Sequence, residues 1–413
     1  MNSYLMRPFR FHITARDGQA RTGRLQTAHG VIETPAFVPV ATWAAVQVLS
    51  AADLQRAGAQ VLITNAYHLH LQPGGTVIRD LGGLHTFMGW SGPIMIDSGG
   101  FQIFSLGAGR TQGVGKVGTG SSGKRRKNEF PKTNRVRPLV RVDEDGAEFI
   151  SYLDGSRYRF TPENVVEASL DLGADLIMAL DECTSPLHSY ERTRESLART
   201  HRWALRALDV FRRLAPEGRA LFGIVQGGDY EDLRRESSRF IGGLDFDGVA
   251  VGGSLGQSKA DIGQVLKWTV PGLPEGKPRH LLGIGWVEDV LTAVSLGIDL
   301  QDCVAPTLLA RTGTFLHKRE KRFRLRIRNR EHRRADRPVE EDCTCPTCRT
   351  CSRAYLRHLF MAGEPLAVHL ASVHNLYFME TLMASLRKAI RERRLARWIE
   401  DLLTKGSLGL TKP

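Results

Sequence analysis

Cysteine is scarce and unevenly placed in this sequence: of six in 413 residues, four fall between Cys343 and Cys351. That distribution excludes a disulfide scaffold and points instead to a metal cluster. Long apolar runs are also lacking. No segment approaches the ~18 uncharged apolar residues of a membrane span, which excludes a helical membrane protein. The opening residues 1–14 (MNSYLMRPFRFHIT) contain no apolar stretch behind a basic cap, so a secretory signal has no support and a cytoplasmic location is expected. Length alone does not choose an architecture, because 413 residues suit one large barrel with an appendage as well as two or three domains.

Acidic residues are the minority, 44 against 57 Lys and Arg, for a net charge of +13. From Arg110 to Arg137 nine basic residues face only Glu129, and from Lys318 to Arg334 ten face Glu320 and Glu331. Each segment carries +8, so the rest of the chain carries −3. Nucleic acid is the partner expected of such segments, because clustered Lys and Arg release counterions from phosphates. A merely solvated charge run is the alternative for the first of them.

Two stretches alternate apolar and polar residues around turn dipeptides. Arg10 to Thr34 does so around Asp17-Gly18 and His29-Gly30, and Leu139 to Phe160 around Asp145-Gly146 and Asp154-Gly155; both predict antiparallel meanders. Elsewhere eight short apolar runs end in small or polar residues: Pro35–Val40, Val61–Asn65, Pro93–Asp97, Asp175–Asp181, Leu221–Gln226, Gly248–Gly252, His280–Gly285 and Ile298–Asp302. Amphipathic helical patterns lie between most of them, among them Ser50–Gly58, Thr161–Leu172, Glu191–Leu214, Asp229–Ile241 and Val287–Leu296. Eight such alternations predict an α/β fold of the (β/α)8 barrel type, whose site lies at the C-terminal strand ends. Those ends supply Asn65, Asp97, Asp181, Gln226, Gly252 and Asp302.

The expected organisation is a barrel over 9–313, holding a flexible basic insert at 107–138 and the meander at 139–160. A smaller zinc-binding subdomain covers 314–400, and 401–413 form a tail. The insert is rich in Gly, Ser, Lys and Arg, and predicts a disordered loop. Arg322 to Arg330 (RFRLRIRNR) alternates arginine with apolar residues, which predicts a strand with one cationic face.

Three strand ends carry carboxylates. Asp97 opens Asp97-Ser98-Gly99-Gly100-Phe101-Gln102, where the glycines let backbone approach a flat ligand and Phe101 offers a stacking face. Asp181 and Asp302 end two more runs. One such Asp is often a helix cap or an ion-pair partner; three on one rim are harder to explain so. Cys343, Cys345 and Cys348 form a C-x-C-x2-C array that needs a fourth ligand to close a tetrahedral zinc site. Cys351, His369 and His374 are the candidates.

The motifs DSGGFQ (97–102), LGGLHTFMGW (81–90), ALDECT (179–184), GIVQGG (223–228), QDCVAPT (301–307), CTCPTC (343–348), SRAYLRHL (352–359) and HNL (374–376) together resemble bacterial tRNA-guanine transglycosylases, from about Phe9 to Arg397. The resemblance implies a zinc-containing (β/α)8 barrel, usually homodimeric, that exchanges the wobble guanine of GUN-anticodon tRNAs for a free 7-deazaguanine base, queuine or preQ1. It also implies roles. Asp302 is the nucleophile that forms a covalent ribosyl intermediate, and Asp97 shuttles protons. Ser98, Gly99, Gly100, Phe101, Asp181, Gln226, Gly252, Gly253 and Leu282 surround the base. Gly283, Gly285, Trp286, Thr307, Leu308, Leu309, Ala310 and Arg311 face the tRNA anticodon arm. The strand pattern itself, and not the resemblance, puts Arg324, Arg326 and Arg328 on one face at ~6.6 Å intervals, where they are expected to hold the phosphates of that arm. His374 joins the three cysteines around one structural Zn2+.

The chain departs from the family pattern in places. Leu308 stands where an arginine is common, the turn at Gly283-Ile284-Gly285-Trp286 lacks a following proline, and the loop Gly252-Gly253-Ser254-Leu255-Gly256-Gln257 is one residue shorter and ends in Gln257 where a glutamate is usual. Loss of that carboxylate tilts the expected base toward queuine. A noncatalytic zinc-stabilised tRNA-binding subunit is the alternative reading. It leaves Asp97 and Asp302 unexplained.

Overall fold

The computed structural model describes residues 9–104, 140–253, 255 and 261–405. The insert at 107–138 and residues 254, 256 and 257 of the shortened loop lie outside them. An antiparallel meander opens the chain: β1 (Arg10–Asp17), β2 (Ala20–Thr27) and β3 (Gly30–Thr34). β4 (Ala36–Pro39), β5 (Leu62–Asn65) and β6 (Ile94–Asp97) begin a parallel sheet. A second meander follows, with β7 (Val140–Val142), β8 (Ala147–Ile150) and β9 (Arg157–Phe160). The parallel sheet resumes with β10 (Leu176–Met178), β11 (Ala220–Val225), β12 (Gly248–Val251), β13 (Arg279–Leu281) and β14 (Leu300–Cys303).

The eight parallel strands run in the order β4-β14-β13-β12-β11-β10-β6-β5. A parallel bridge from Val40 to Ile63 joins the two ends, with the Ala41 N–H donating to the Ile63 carbonyl at 2.7 Å. The sheet is therefore closed, a (β/α)8 barrel as the alternation predicts. Each of the eight expected runs supplies one strand.

Local chemistry places the helices. Ser50 and Asp53 form a capping box on the helix Ala51–Ala57, which stops at Gly58 with φ 87°, a conformation that favours glycine. Thr161 caps Pro162–Asp171 in the same way through Asn164. Inward-facing residues alternate along the strands, so Val38, Ile63, Met95, Met178, Phe222 and Leu300 share one dry interior. Leu25 and Ile32 from the first meander belong to the same cluster and close the bottom of the barrel. Arg21 of β2 is buried there; its Nε donates to Asp299 Oδ1 at 2.9 Å, just before β14.

Beyond the barrel, β15 (Thr314–Leu316) pairs with β16 (Arg324–Arg326). The strand expected over Arg322–Arg330 is thus only three residues long. Arg322 and Phe323 have φ of 55° and 56° inside a turn, and β15 is itself too short to pair more. Burial nevertheless alternates through Phe323, Leu325 and Ile327, all buried, with Arg326 and Arg328 exposed. The long helix Pro365–Arg391 is buried over most of its length against the barrel, and a last helix, Leu395–Lys405, runs past the expected tail boundary at 401. No helix among the described residues is long and apolar enough to cross a membrane.

Candidate active site

The C-terminal strand ends surround a cleft of about 580 Å³. Its walls carry Asp97 from β6, Asp302 from β14, Phe101, Leu282, Gly283, Trp286 and Leu308. Gly285 fits the turn above it because a Cβ there would lie 2.4 Å from that of Cys303. On the helix Ala305–Arg311, Leu308 is exposed, Thr307 half-buried and Arg311 exposed, whereas Leu309 and Ala310 turn into the core.

Asp302 is held from beside it on the barrel wall. Both His280 Nε2 and the Gly283 N–H lie 2.8 Å from its Oδ1. Asp97 has a partner on the next strand, where Asn65 Nδ2 donates to its Oδ2 at 2.7 Å. Asn65 also caps the helix that follows it, accepting the His68 N–H through Oδ1. The sequence reading placed Asn65 on the rim without a task, and it missed His280. The available signal was that His280 lies two residues before Leu282, hence on the same face.

Asp181 sits in an adjoining pocket of about 150 Å³ with Gly100, Glu182 and Cys183. Gln226 Nε2 donates to Asp181 Oδ2, and Ser98 Oγ to Oδ1 at 3.5 Å. The glycines are steric requirements here. A Cβ on Gly100 would lie 2.5 Å from Asp181 Oδ1, and one on Gly253, at φ 78°, would lie 2.0 Å from Gln226 Oε1. That Oε1 is buried without a hydrogen-bond partner among the described residues. Gly252 and Gly253 reach this place because β12 lies beside β11, and Gly252 N–H donates to the Val225 carbonyl at 3.0 Å.

Arg234, also missed, secures both strand ends. Fully buried, it donates to the carbonyls of Val225 (3.2 Å), Gly228 (2.7 Å) and Gly252 (3.0 Å). Burial pushes its guanidinium down to about 10, against the pull of Cys183 and Asp229. The amphipathic pattern of its helix gave no hint that an arginine would face inward.

On the rim outside the cleft, the Arg324 guanidinium lies 4.3 Å from the centre of the Trp286 ring, and that of Arg328 lies 5.5 Å from Phe360. Arg326 is exposed.

A second centre forms where Cys343, Cys345, Cys348 and His374 meet, their ligand atoms all within 4.8 Å of one another. His374 Nδ1 is 3.8, 3.5 and 3.3 Å from the three sulfurs in turn. Tetrahedral Zn–S and Zn–N bonds put sulfur and nitrogen roughly 3.5 Å apart, so the group fits a zinc ion. His374 Nε2 lies 2.8 Å from the Leu316 carbonyl; as the donor there it leaves Nδ1 as the ligand atom. The two other candidates are engaged elsewhere: His369 Nδ1 meets the Val48 carbonyl at 2.9 Å, and Cys351 meets Thr350 Oγ1 at 3.5 Å.

A further polar group lies at the opposite end of the barrel. Buried Asp175 meets His29 Nδ1 at 2.7 Å and His85 Nε2 at 3.2 Å, and it accepts the Ile94 N–H at 2.9 Å. The two imidazoles stack at 3.6 Å with an 18° tilt. Both ring nitrogens face the one Asp175 carboxylate, which also accepts the Ile94 N–H, so the group ties the first meander to β6 and β10 as a structural lock.

The family model described as Queuine tRNA-ribosyltransferase matches residues 17–407. The chain is 46% identical over 401 residues to the queuine tRNA-ribosyltransferase of Roseiflexus sp. (strain RS-1), covering 94% of this chain and 97% of that one. The enzyme of that name from Pelotomaculum thermopropionicum is 43% identical over 398 residues (96% and 98% covered), and that from Geobacillus kaustophilus is 42% identical over 409 (98% and 98%). The chain belongs to the queuine tRNA-ribosyltransferase family. Membership of the queuine tRNA-ribosyltransferase family makes it a glycosyltransferase of the pentosyl-transferring class, in line with the resemblance carried by its motifs.

Proposed function

We propose that this protein exchanges the wobble guanine of GUN-anticodon tRNAs for a 7-deazaguanine, queuine or preQ1, by two displacements at the ribose. The observation that carries the reading is the cleft shared by Asp97 and Asp302, each fixed by a neighbouring donor. Asp302 attacks the anomeric carbon as the bond to guanine breaks, and the departing base takes a proton from Asp97. The incoming base then attacks the same carbon, releases Asp302, and gives its proton to Asp97. Two inversions restore the starting configuration.

The base lies between Phe101 and Leu282, extruded from its stack. Asp181 and Gln226 address its polar edge together with Ser98, Gly99, Gly100, Gly252 and Gly253. Gln226 Nε2 is bonded to Asp181 in this structure, so an arriving base that donates to Asp181 replaces that amide and turns Gln226 toward its own carbonyl. Trp286, Thr307, Leu308 and Arg311 border the anticodon arm, and Arg324, Arg326 and Arg328 bind its phosphates.

Cys343, Cys345, Cys348 and His374 hold one zinc ion, whose chemistry is structural because four protein ligands leave no open position. The domain assignment that follows is a barrel over 9–313 and a zinc-binding subdomain over 314–400. A homodimer is the assembly, and exposed Val77 and Phe87 on two adjacent short helices, with Leu81 in the turn between them, offer an apolar surface for it. Labelled free guanine incubated with the protein and a GUN-anticodon tRNA should enter the wobble position. Absence of incorporation into any such tRNA rejects the reading.

A further inference from the structure

His280 is fully buried on β13, between Ala250 of β12 and Leu300 of β14. The interior around it is apolar, and its Nδ1 has no hydrogen-bond partner among the described residues. An aliphatic side chain would fill this layer without leaving a polar atom unsatisfied. What the imidazole adds is at its other nitrogen, 2.8 Å from Asp302 Oδ1, the oxygen that the Gly283 N–H also meets at 2.8 Å.

We propose that His280 is a positioning residue for Asp302: its Nε2–H and the Gly283 N–H clamp Oδ1, and so present Oδ2 to the anomeric carbon. The proposal rests on the reading of Asp302 as nucleophile. Two donors on one oxygen fix both the position and the rotation of the carboxylate, which a nucleophile needs because its attack must be in line with the bond to guanine. They also replace water in keeping the group ionised at the edge of an apolar interior. A neutral imidazole suits the chemistry better than a cation. In the displacement an Oδ2 lone pair forms the bond to carbon, the electron pair of the glycosidic bond leaves with guanine, and the carboxylate loses its charge on becoming an ester. A full positive charge against Oδ1 would oppose that loss, whereas one neutral N–H stays bonded to the ester carbonyl. The carbonyl oxygen of that ester is Oδ1 itself.

The other titratable side chains on this cleft, among the described residues, are His68 beside β5, Asp97 across the opening and Cys303 next to Asp302. The test uses the full chain with a substrate tRNA and follows the covalent protein–RNA adduct in single turnover, for wild type, His280→Leu, His280→Gln and Asp302→Asn. His280→Leu should slow adduct formation about tenfold or more at neutral pH, while tRNA affinity and the KM for free guanine stay within about twofold. Its acid limb should move to higher pH, because a carboxylate that loses a donor is protonated more easily. His280→Gln, which returns an amide N–H, should recover most of the rate and the wild-type limb.

A His280→Leu protein with wild-type rate and acid limb overturns the proposal. Should that variant not fold, nitrogen NMR of 15N-histidine-labelled wild type decides: His280 must carry its proton on Nε2 and respond to Asp302→Asn. A proton on Nδ1 with a bare Nε2 overturns it equally. An adduct that persists in Asp302→Asn brings down the nucleophile assignment and this proposal together. Loss of the adduct there, with His280→Leu unchanged, rejects the positioning role alone.

Discussion

Asn375, the residue after metal-group His374, reaches across to Pro306, four residues beyond Asp302. Its Nδ2 donates to the Pro306 carbonyl at 2.9 Å and to that of Thr314 at 3.0 Å, and its Oδ1 accepts the Leu316 N–H at 2.7 Å. All of this is buried. One side chain therefore ties the helix that follows the proposed nucleophile to the helix that carries His374. A metal held at His374 would act on the active site through this frame.

Metal analysis of the purified protein should accordingly find about one zinc per chain. His374→Ala should lose most of it and lower the melting temperature, and a chelator should do the same to wild type. Full occupancy in His374→Ala would contradict the ligand set.

The lock at the bottom of the barrel makes a statement about pH. Burial would raise the Asp175 carboxyl, but hydrogen bonds from His29 and His85, the charge of His29 and the Ile94 N–H outweigh it and hold the group at about 2, below its ordinary 3.8. A folded-state value below the unfolded one means stability that is complete above pH ~4 and is lost as pH falls toward ~2, worth about 2 kcal/mol. Asp175→Asn should cost at least that much at neutral pH in urea unfolding. The gap to wild type should narrow between pH ~4 and ~2; a gap that widens on acidification rules the account out.

Arg324 and Arg326 should differ, because one packs on Trp286 and the other is exposed. Arg326 is exposed, so its replacement by Ala should weaken all substrate tRNAs alike and lower the salt slope by about one unit. Arg324→Ala should lose more, since the guanidinium also packs on Trp286. Altered discrimination between tRNAs with an unaltered salt slope would reject phosphate binding.

Gln257, at the position where the family resemblance implies a glutamate, should favour the larger, hydroxylated queuine over the cationic aminomethyl base preQ1. Competition between the two on one tRNA measures this directly. A higher catalytic efficiency for preQ1 refutes the role given to Gln257.

The barrel was legible because each buried strand is a short apolar run that ends where a polar residue meets the cleft, as Ile94-Met95-Ile96-Asp97 does. The particular pairs that close it were not, since the Val40–Ile63 bridge and the neighbouring of β4 and β14 depend on contacts remote in sequence. Arg322–Arg330 shows a subtler limit. Its period of two reports which side chains are buried, and turn backbone can keep that alternation without a ladder. His280 and Arg234 escaped notice because a polar residue in an apolar run, or a cation on an amphipathic helix, shows nothing of its partner until the fold supplies it. The same holds for His29, His85 and Asp175, which come together from three separate segments.

The most direct measurement is covalent trapping. Wild-type protein incubated with a GUN-anticodon tRNA and denatured should yield a protein–RNA adduct on a gel, and Asp302→Asn, which keeps the shape but removes the nucleophilic charge, should yield none. An adduct of equal intensity from Asp302→Asn would place the nucleophile on another carboxylate and contradict the mechanism.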